Sequence, residues 1–217
     1  MPGLDQSKQV LRQFPGQDVE FLLYLPPGYD SHSQKQYPFM LFLHGAGERG
    51  SDISKVKMHG PPKLVEEGED FEFILVSPQC PAYQRWNIDR LDKLVTKLSQ
   101  EYRIDANRMY LTGLSMGGFG TWNYAVEYPE KWAAIVPICG GGDPDTAHRI
   151  AHIPTKIYHG AGDEVVPPVR SQEMYDAMIA AGADNVSLMI YEGVGHNSWE
   201  RSYKNMTLYD WLLDQSK

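Results

Sequence analysis

Ser115 stands in Gly113-Leu114-Ser115-Met116-Gly117, with small residues two before and two after it. An apolar, partly β-branched run at 109–112 precedes it, and a helix-like stretch follows from about Met116. That order places the serine on a tight corner between strand and helix, where its hydroxyl projects from the sheet as a nucleophile. The unpaired N–H groups and positive end of the helix then lie where a negative oxygen forms during acyl transfer. Gly-Ser-Gly runs also mark ordinary flexible turns, so the nucleophile reading depends on partners elsewhere in the chain.

A serine hydroxyl is a weak nucleophile until a base takes its proton, and that base is usually a histidine oriented by a carboxylate. Seven histidines compete. His196 lies in a glycine-bearing loop, 192–199, after the last expected strand, and Asp163 follows the strand before it in His159-Gly160-Ala161-Gly162-Asp163. Both sit at the sheet edge that carries Ser115, in the chain order serine, acid, histidine of an α/β-hydrolase. Glu164 is the nearest rival acid, and Asp143 and Asp145 are more distant ones. His44 precedes the serine, the wrong order for the base. Its loop offers the Ala46 N–H to pair with that of Met116 as an oxyanion hole, with His44 bracing the loop. His159 reads as a hydrogen-bonded core histidine, and His32, His59, His148 and His152 carry no supporting pattern. The spacing suits neither metal ligation nor a phosphate-cradling loop, so no metal or cofactor is expected.

The elements that must hold these residues alternate along the chain. Runs at 10–14 and 20–25, joined by a turn at Pro15-Gly16-Gln17-Asp18, predict an antiparallel edge hairpin. Continuous apolar runs at 39–43, 73–76, 109–112, 134–138, 156–158 and 186–191 predict buried strands of a mostly parallel sheet. Leu91, Leu94, Val95, Leu98 and Tyr102 form a helical stripe, as do Met174, Ala177, Met178 and Ala181, with Gly182 closing that helix. Pro61 opens a short helix, another follows Ser115 to about Tyr128, and Met206, Tyr209, Leu212 and Leu213 stripe the last. The sum is a three-layer α/β/α sandwich around an eight-stranded, mostly parallel sheet. Between the sixth and seventh strands only residues 140–154 intervene, with a short helix near 146–151, so no large cap domain is expected.

A chain of 217 residues, 42% hydrophobic and 22% charged, fits a single domain over 1–217. The formal charge of −8 gives no electrostatic reason to bind nucleic acid or an anionic membrane. No apolar run approaches the length of a membrane span, and the first residues lack a signal core, which points to the cytoplasm. Cys80 and Cys139 fall at strand ends about 14 Å apart, beyond disulfide reach, and read as free thiols.

Leu43-His44-Gly45-Ala46-Gly47-Glu48-Arg49-Gly50, Ser77-Pro78-Gln79-Cys80-Pro81 with Trp86, Gly113 to Gly118, Gly162-Asp163 with Val166-Pro167, and Gly195-His196 with Trp199 together resemble the compact carboxylesterases of the α/β-hydrolase superfamily. The nearest groups are the phospholipase/carboxylesterase family and the prolyl-oligopeptidase-like esterase branch, and the resemblance covers nearly the whole chain. It implies hydrolysis of carboxylic esters through an acyl-enzyme, with Ser115, Asp163 and His196 as triad and Ala46 and Met116 as oxyanion donors. It also implies that Gly45 and Trp86 line the substrate, although Trp86 equally suits ordinary packing. Short-chain or small soluble esters fit an uncapped site; aryl esters, including feruloyl-like ones, and acetylated sugars fit as well. Alternatives are a small serine peptidase or acyltransferase of prolyl-oligopeptidase type and a non-catalytic binding protein. The expected partner is a small-molecule ester, with the chain a monomer or homodimer.

Overall fold

The computed structural model describes residues 9–16, 19–32 and 34–217. Among them, eight strands form one sheet: β1 (Val10–Gln13), β2 (Glu20–Tyr24), β3 (Tyr37–Leu43), β4 (Ile74–Pro78), β5 (Ile104–Leu114), β6 (Ala134–Ile138), β7 (Thr155–Gly160) and β8 (Val186–Tyr191). The spatial order is β1-β2-β4-β3-β5-β6-β7-β8. β1 pairs antiparallel with β2 and β2 antiparallel with β4, while every later pairing is parallel. This is the expected hairpin at one edge; Gln17 and Asp18 of its turn lie outside the described residues.

The helices are α1 (Gly60–Glu66), α2 (Ile88–Glu101), α3 (Met116–Glu127), α4 (Val169–Ala180), α5 (Trp199–Tyr203) and α6 (Thr207–Leu213). They bury the two faces of the sheet separately. Val76, Leu41, Leu111 and Ile135 stand in register across four strands and pack with Leu91, Leu94 and Leu98 of α2, Trp122 of α3 and Met174 of α4. Their strand neighbours Leu75, Met40, Tyr110 and Ala134 point to the opposite face and meet Leu64 of α1, Tyr203 of α5 and Leu212 of α6. Period-2 alternation in strands buried on both sides therefore yields two cores from one continuous apolar run.

Several expected elements change extent. β5 runs from Ile104, well before the apolar run at 109–112. Its register with β3 jumps from Tyr37↔Ile104 to Phe39↔Met109, so the mostly polar residues 105–108 bulge out of the ladder. Asp105 anchors that bulge by accepting from the Asn107 N–H and the Arg108 guanidinium. The segment near 146–151 is a 3-10 turn, Pro144–Arg149, capped by the Asp143 side chain. In the closing helix, Leu208 replaces Met206 on the buried face; Met206 precedes the first turn and is 41% exposed. Ala181 likewise lies past the end of α4 as its C-cap, and α5 has too short a stripe to be read from sequence.

Because β3, β5, β7 and β8 run parallel, the loops carrying His44, Ser115, Asp163 and His196 open from the same edge. Two close backbone approaches fix that edge. A Cβ on Gly117 would lie 1.8 Å from the Leu43 carbonyl oxygen, and one on Gly160 would lie 2.1 Å from the Gly195 carbonyl oxygen. Gly117→Ala is accordingly expected to cost at least about 3 kcal/mol of unfolding free energy, because neither backbone can yield without moving a core strand. An equilibrium urea titration checks this, and a loss below about 1 kcal/mol would show that α3 and β3 part easily.

Candidate active site

Ser115 joins β5 to α3 at φ 51° and ψ −115°, a conformation that costs a non-glycine residue about 1–3 kcal/mol. Its N–H donates to the Ile138 carbonyl at 2.9 Å and its carbonyl accepts from Phe119 N–H at 3.0 Å, so the corner is held from β6 and from within α3. His196 reaches the serine across the edge, its Nε2 2.9 Å from Ser115 Oγ. Its Nδ1 donates to Asp163 Oδ2 at 2.7 Å. The loops bearing acid and base are bonded to each other, Gly162 N–H to the Val194 carbonyl at 2.9 Å and Ala161 N–H to the Tyr191 carbonyl at 3.0 Å.

The Asp163 side chain is fully buried, whereas His196 keeps 20% of its side chain exposed. Burial works to raise the Asp163 pKa, but hydrogen bonds from His196, Val166 and Val165 outweigh it and hold the carboxyl below its ordinary value. Oδ1 alone accepts the N–H groups of Val165 and Val166, each at 2.9 Å. The rival acids Glu164, Asp143 and Asp145 are exposed, and Asp143 is spent on capping its 3-10 turn. His159 is buried and hydrogen-bonded as expected, yet its Nε2 also lies 3.2 Å from Asp163 Oδ2.

On the other side of the serine, residues 44–50 follow β3. Met116 opens α3, so its N–H belongs to the orphan donors of that helix start, beside Ser115. Ala46 is exposed, and its carbonyl accepts from Arg49 Nε at 2.9 Å while Arg49 Nη1 donates to Gln84 O at 3.2 Å. Gly45 is buried, its N–H donating to Glu48 Oε2 at 2.8 Å. His44 braces the loop: Nε2 accepts the Cys80 N–H at 3.0 Å, which leaves the proton on Nδ1 to donate to the Gly45 carbonyl at 2.6 Å. Burial, opposed by the Gly45 hydrogen bond, pushes this imidazole down to about 4. Trp86 packs edge-on against His44 and donates its indole N–H to the His44 carbonyl at 3.2 Å.

Sequence reasoning passed over a polar chain behind this loop. Glu48 is buried, and His59, read as patternless, has Nε2 4.0 Å from Glu48 Oε1 and Nδ1 3.1 Å from Glu200 Oε1. Lys63 completes it at 3.0 Å from Glu200 Oε2. Trp199 stands edge-on between His59 and His196, with ring centres 5.4 and 5.2 Å away. Local spacing gives no signal for contacts between residues this far apart in sequence. The buried thiol of Cys139 lies within 4.8 Å of ligand-type atoms of Asp163 and His196. Burial pushes it up to about 12, so it stays protonated, and the acid and base it adjoins are bonded to each other.

The neutral state of His44 carries a stability consequence. Its folded-state pKa lies below the unfolded value of 6.5, so as pH falls the unfolded chain takes up the proton first. The stabilisation is complete above about 6.5 and lost toward about 4, amounting to about 3 kcal/mol. Urea titrations at pH 7.5 and 4.5 are expected to show a smaller acid-induced loss in His44→Gln than in wild type; equal losses would refute this. Glu48→Ala leaves the Gly45 N–H without its acceptor and is expected to cost about 1–3 kcal/mol in the same assay, with Glu48→Gln milder.

The model of the phospholipase/carboxylesterase family matches residues 71–209, a span that contains Ser115, Asp163 and His196 but begins after the 44–50 loop. A bifunctional acetylxylan esterase/xylanase of Neocallimastix patriciarum is 26% identical over 208 residues, which cover 92% of this chain and 28% of that protein. A probable feruloyl esterase C of Aspergillus terreus is 26% identical over 157 residues, 68% of this chain and 56% of that one. Among solved structures, a thermostable esterase superposes with a TM-score of 0.82 at 32% identity, over 96% of this chain and 63% of that chain. The chain thus spans between about a quarter and two thirds of the length of these relatives. With the α/β-hydrolase sheet and the serine corner in place, the family match makes this chain a member of the phospholipase/carboxylesterase family.

Proposed function

We propose that the chain is a serine carboxylesterase acting on esters of short-chain or aryl acids, with residues 1–217 as one catalytic domain. The observation that carries this reading is the unbroken line from Ser115 Oγ to His196 Nε2 and from His196 Nδ1 to Asp163 Oδ2, at 2.9 and 2.7 Å. Relatives described as acetylxylan and feruloyl esterases support the acyl range. Between β6 and β7 the chain forms only the short turn Pro144–Arg149, which favours substrates small enough to reach Ser115 without interfacial opening. No helix among the described residues is long and apolar enough to cross a membrane, and two buried free thiols suit a reducing, cytoplasmic setting.

In this mechanism Ser115 Oγ attacks the ester carbonyl carbon as its proton passes to His196 Nε2. The carbonyl oxygen takes the negative charge and rests on the N–H groups of Met116 and Ala46. Collapse of the tetrahedral intermediate breaks the ester C–O bond, and the imidazolium protonates the leaving alcohol. A water molecule then gives its proton to His196 and attacks the acyl-serine, and the returning proton restores the Ser115 hydroxyl. Asp163 stays ionised throughout and stabilises the imidazolium.

The test is hydrolysis of p-nitrophenyl esters of increasing acyl length, with a feruloyl ester and an aminoacyl-proline anilide alongside. Wild type is expected to cleave the short and aryl esters and leave the anilide intact, while Ser115→Ala or His196→Ala loses about 10⁶-fold in kcat. Ester hydrolysis that survives Ser115→Ala would remove the mechanism, and anilide cleavage at a comparable rate would make the protein a peptidase. Since only neutral imidazole accepts the serine proton, kcat/KM is expected to rise with pH to a plateau; a flat profile from about pH 5 to 8 would contradict His196 as base.

A further inference from the structure

A second histidine approaches the buried acid at the oxygen that bonds His196. His159 sits in β7, fully buried, four residues before Asp163. Its Nε2 is 2.9 Å from the Val166 carbonyl oxygen and 3.2 Å from Asp163 Oδ2. Both neighbours are acceptors, so Nε2 carries a proton. Nδ1 lies 2.7 Å from Ser171 Oγ on α4, and that hydroxyl is 3.3 Å from the Gly140 carbonyl oxygen. A serine hydroxyl both donates and accepts, so this anchor fixes the ring plane in either protonation state.

Both oxygens of the Asp163 carboxylate are therefore engaged, and His159 stands beside one of them. Oδ1 accepts from Val165 and Val166, Oδ2 accepts from His196, and the His159 Nε2–H, bonded to the Val166 carbonyl, also stands 3.2 Å from Oδ2. Oδ2 is the consequential atom, because the base and His159 share it. The positive end of an N–H held 3.2 Å from that oxygen offsets charge that would otherwise act on His196 and disfavours rotation of the carboxylate away from Nδ1.

Resting on the esterase reading above, we propose that His159 is a positioning residue for the reaction: it holds Asp163 Oδ2 on His196 and limits how strongly the acid retains the proton on His196. The titratable groups facing this pair are His196 from the loop after β8, Asp163 itself, and Cys139 from the end of β6. α4 contributes the neutral Ser171, while its Arg170 turns to Glu173 and the Gly142 carbonyl. With Cys139 protonated, the charge that acts on His196 is that of Asp163, and His159 is the side chain that shares it. Removing the His159 donor leaves the carboxylate less compensated, so His196 keeps its proton to higher pH.

The experiment compares wild type with His159→Leu, which removes the donor, and His159→Gln, whose side-chain amide places an N–H near the same reach. Two quantities are read: the acid limb of kcat/KM on a short p-nitrophenyl ester, and the titration of the His196 imidazole by nitrogen-15 NMR in the resting protein. In His159→Leu both midpoints are expected to rise by about one pH unit. The plateau kcat is expected to fall about tenfold, and His159→Gln to restore most of both. If folded His159→Leu lowers kcat with neither midpoint moved, His159 is only packing and the proposal falls. If His159→Leu does not fold, Ser171→Ala frees the far side of the ring, and an unmoved His196 titration in that variant overturns it equally. The NMR readout needs no ester turnover, so it separates failure of this proposal from failure of the esterase reading, which Ser115→Ala decides.

Discussion

A side chain on Gly117 would collide with the Leu43 carbonyl, and one on Gly113 would lie 2.4 Å from the Gly117 carbonyl oxygen. The first turn of α3 is thus wedged against the end of β3 and against its own strand, at distances only bare backbone permits. With the chain reversing direction in so little space, Ser115 is forced to positive φ and its side chain turns out of the sheet. The same wedge brings the helix start next to the loop that follows β3. The strain at Ser115 is local, and the two cores on either side of the sheet over-determine it.

Around that corner the protein keeps charge buried only where hydrogen bonds fill it. Asp163 has three donors and remains an anion despite full burial; His44 has one donor and one acceptor and stays neutral. The difference follows from hydrogen-bond arithmetic: a carboxylate surrounded by N–H groups is favoured charged, whereas a buried imidazole with a single carbonyl partner is not. Glu48 extends the pattern by receiving the Gly45 N–H on the rim of the serine site. Polar groups in the interior are therefore scaffolding for loops that have few apolar contacts of their own.

Trp86 illustrates how a side chain that is legible in outline gains definite partners in the fold. An aromatic residue after β4 suits either a substrate wall or ordinary packing. Its indole packs edge-on against His44, donates to the His44 carbonyl and fills the space beside Gly120, where a Cβ would come within 2.9 Å of the ring. It shapes the loop through which Ala46 is presented.

The amino-acid sequence alone suffices for the layered sheet, because apolar runs of strand length alternating with helical stripes have one economical arrangement, and most elements fall within a few residues of their expected bounds. It also determined Ser115, Asp163 and His196 as one constellation, since loop type, sheet edge and chain order are all local readings. The fold was needed to show which N–H groups saturate Asp163, that His159 stands 3.2 Å from its Oδ2, and that Glu48, His59, Glu200 and Lys63 form one chain. Those contacts join residues up to 141 apart in sequence, and their partners are set by how neighbouring strand ends converge rather than by any periodicity along the chain.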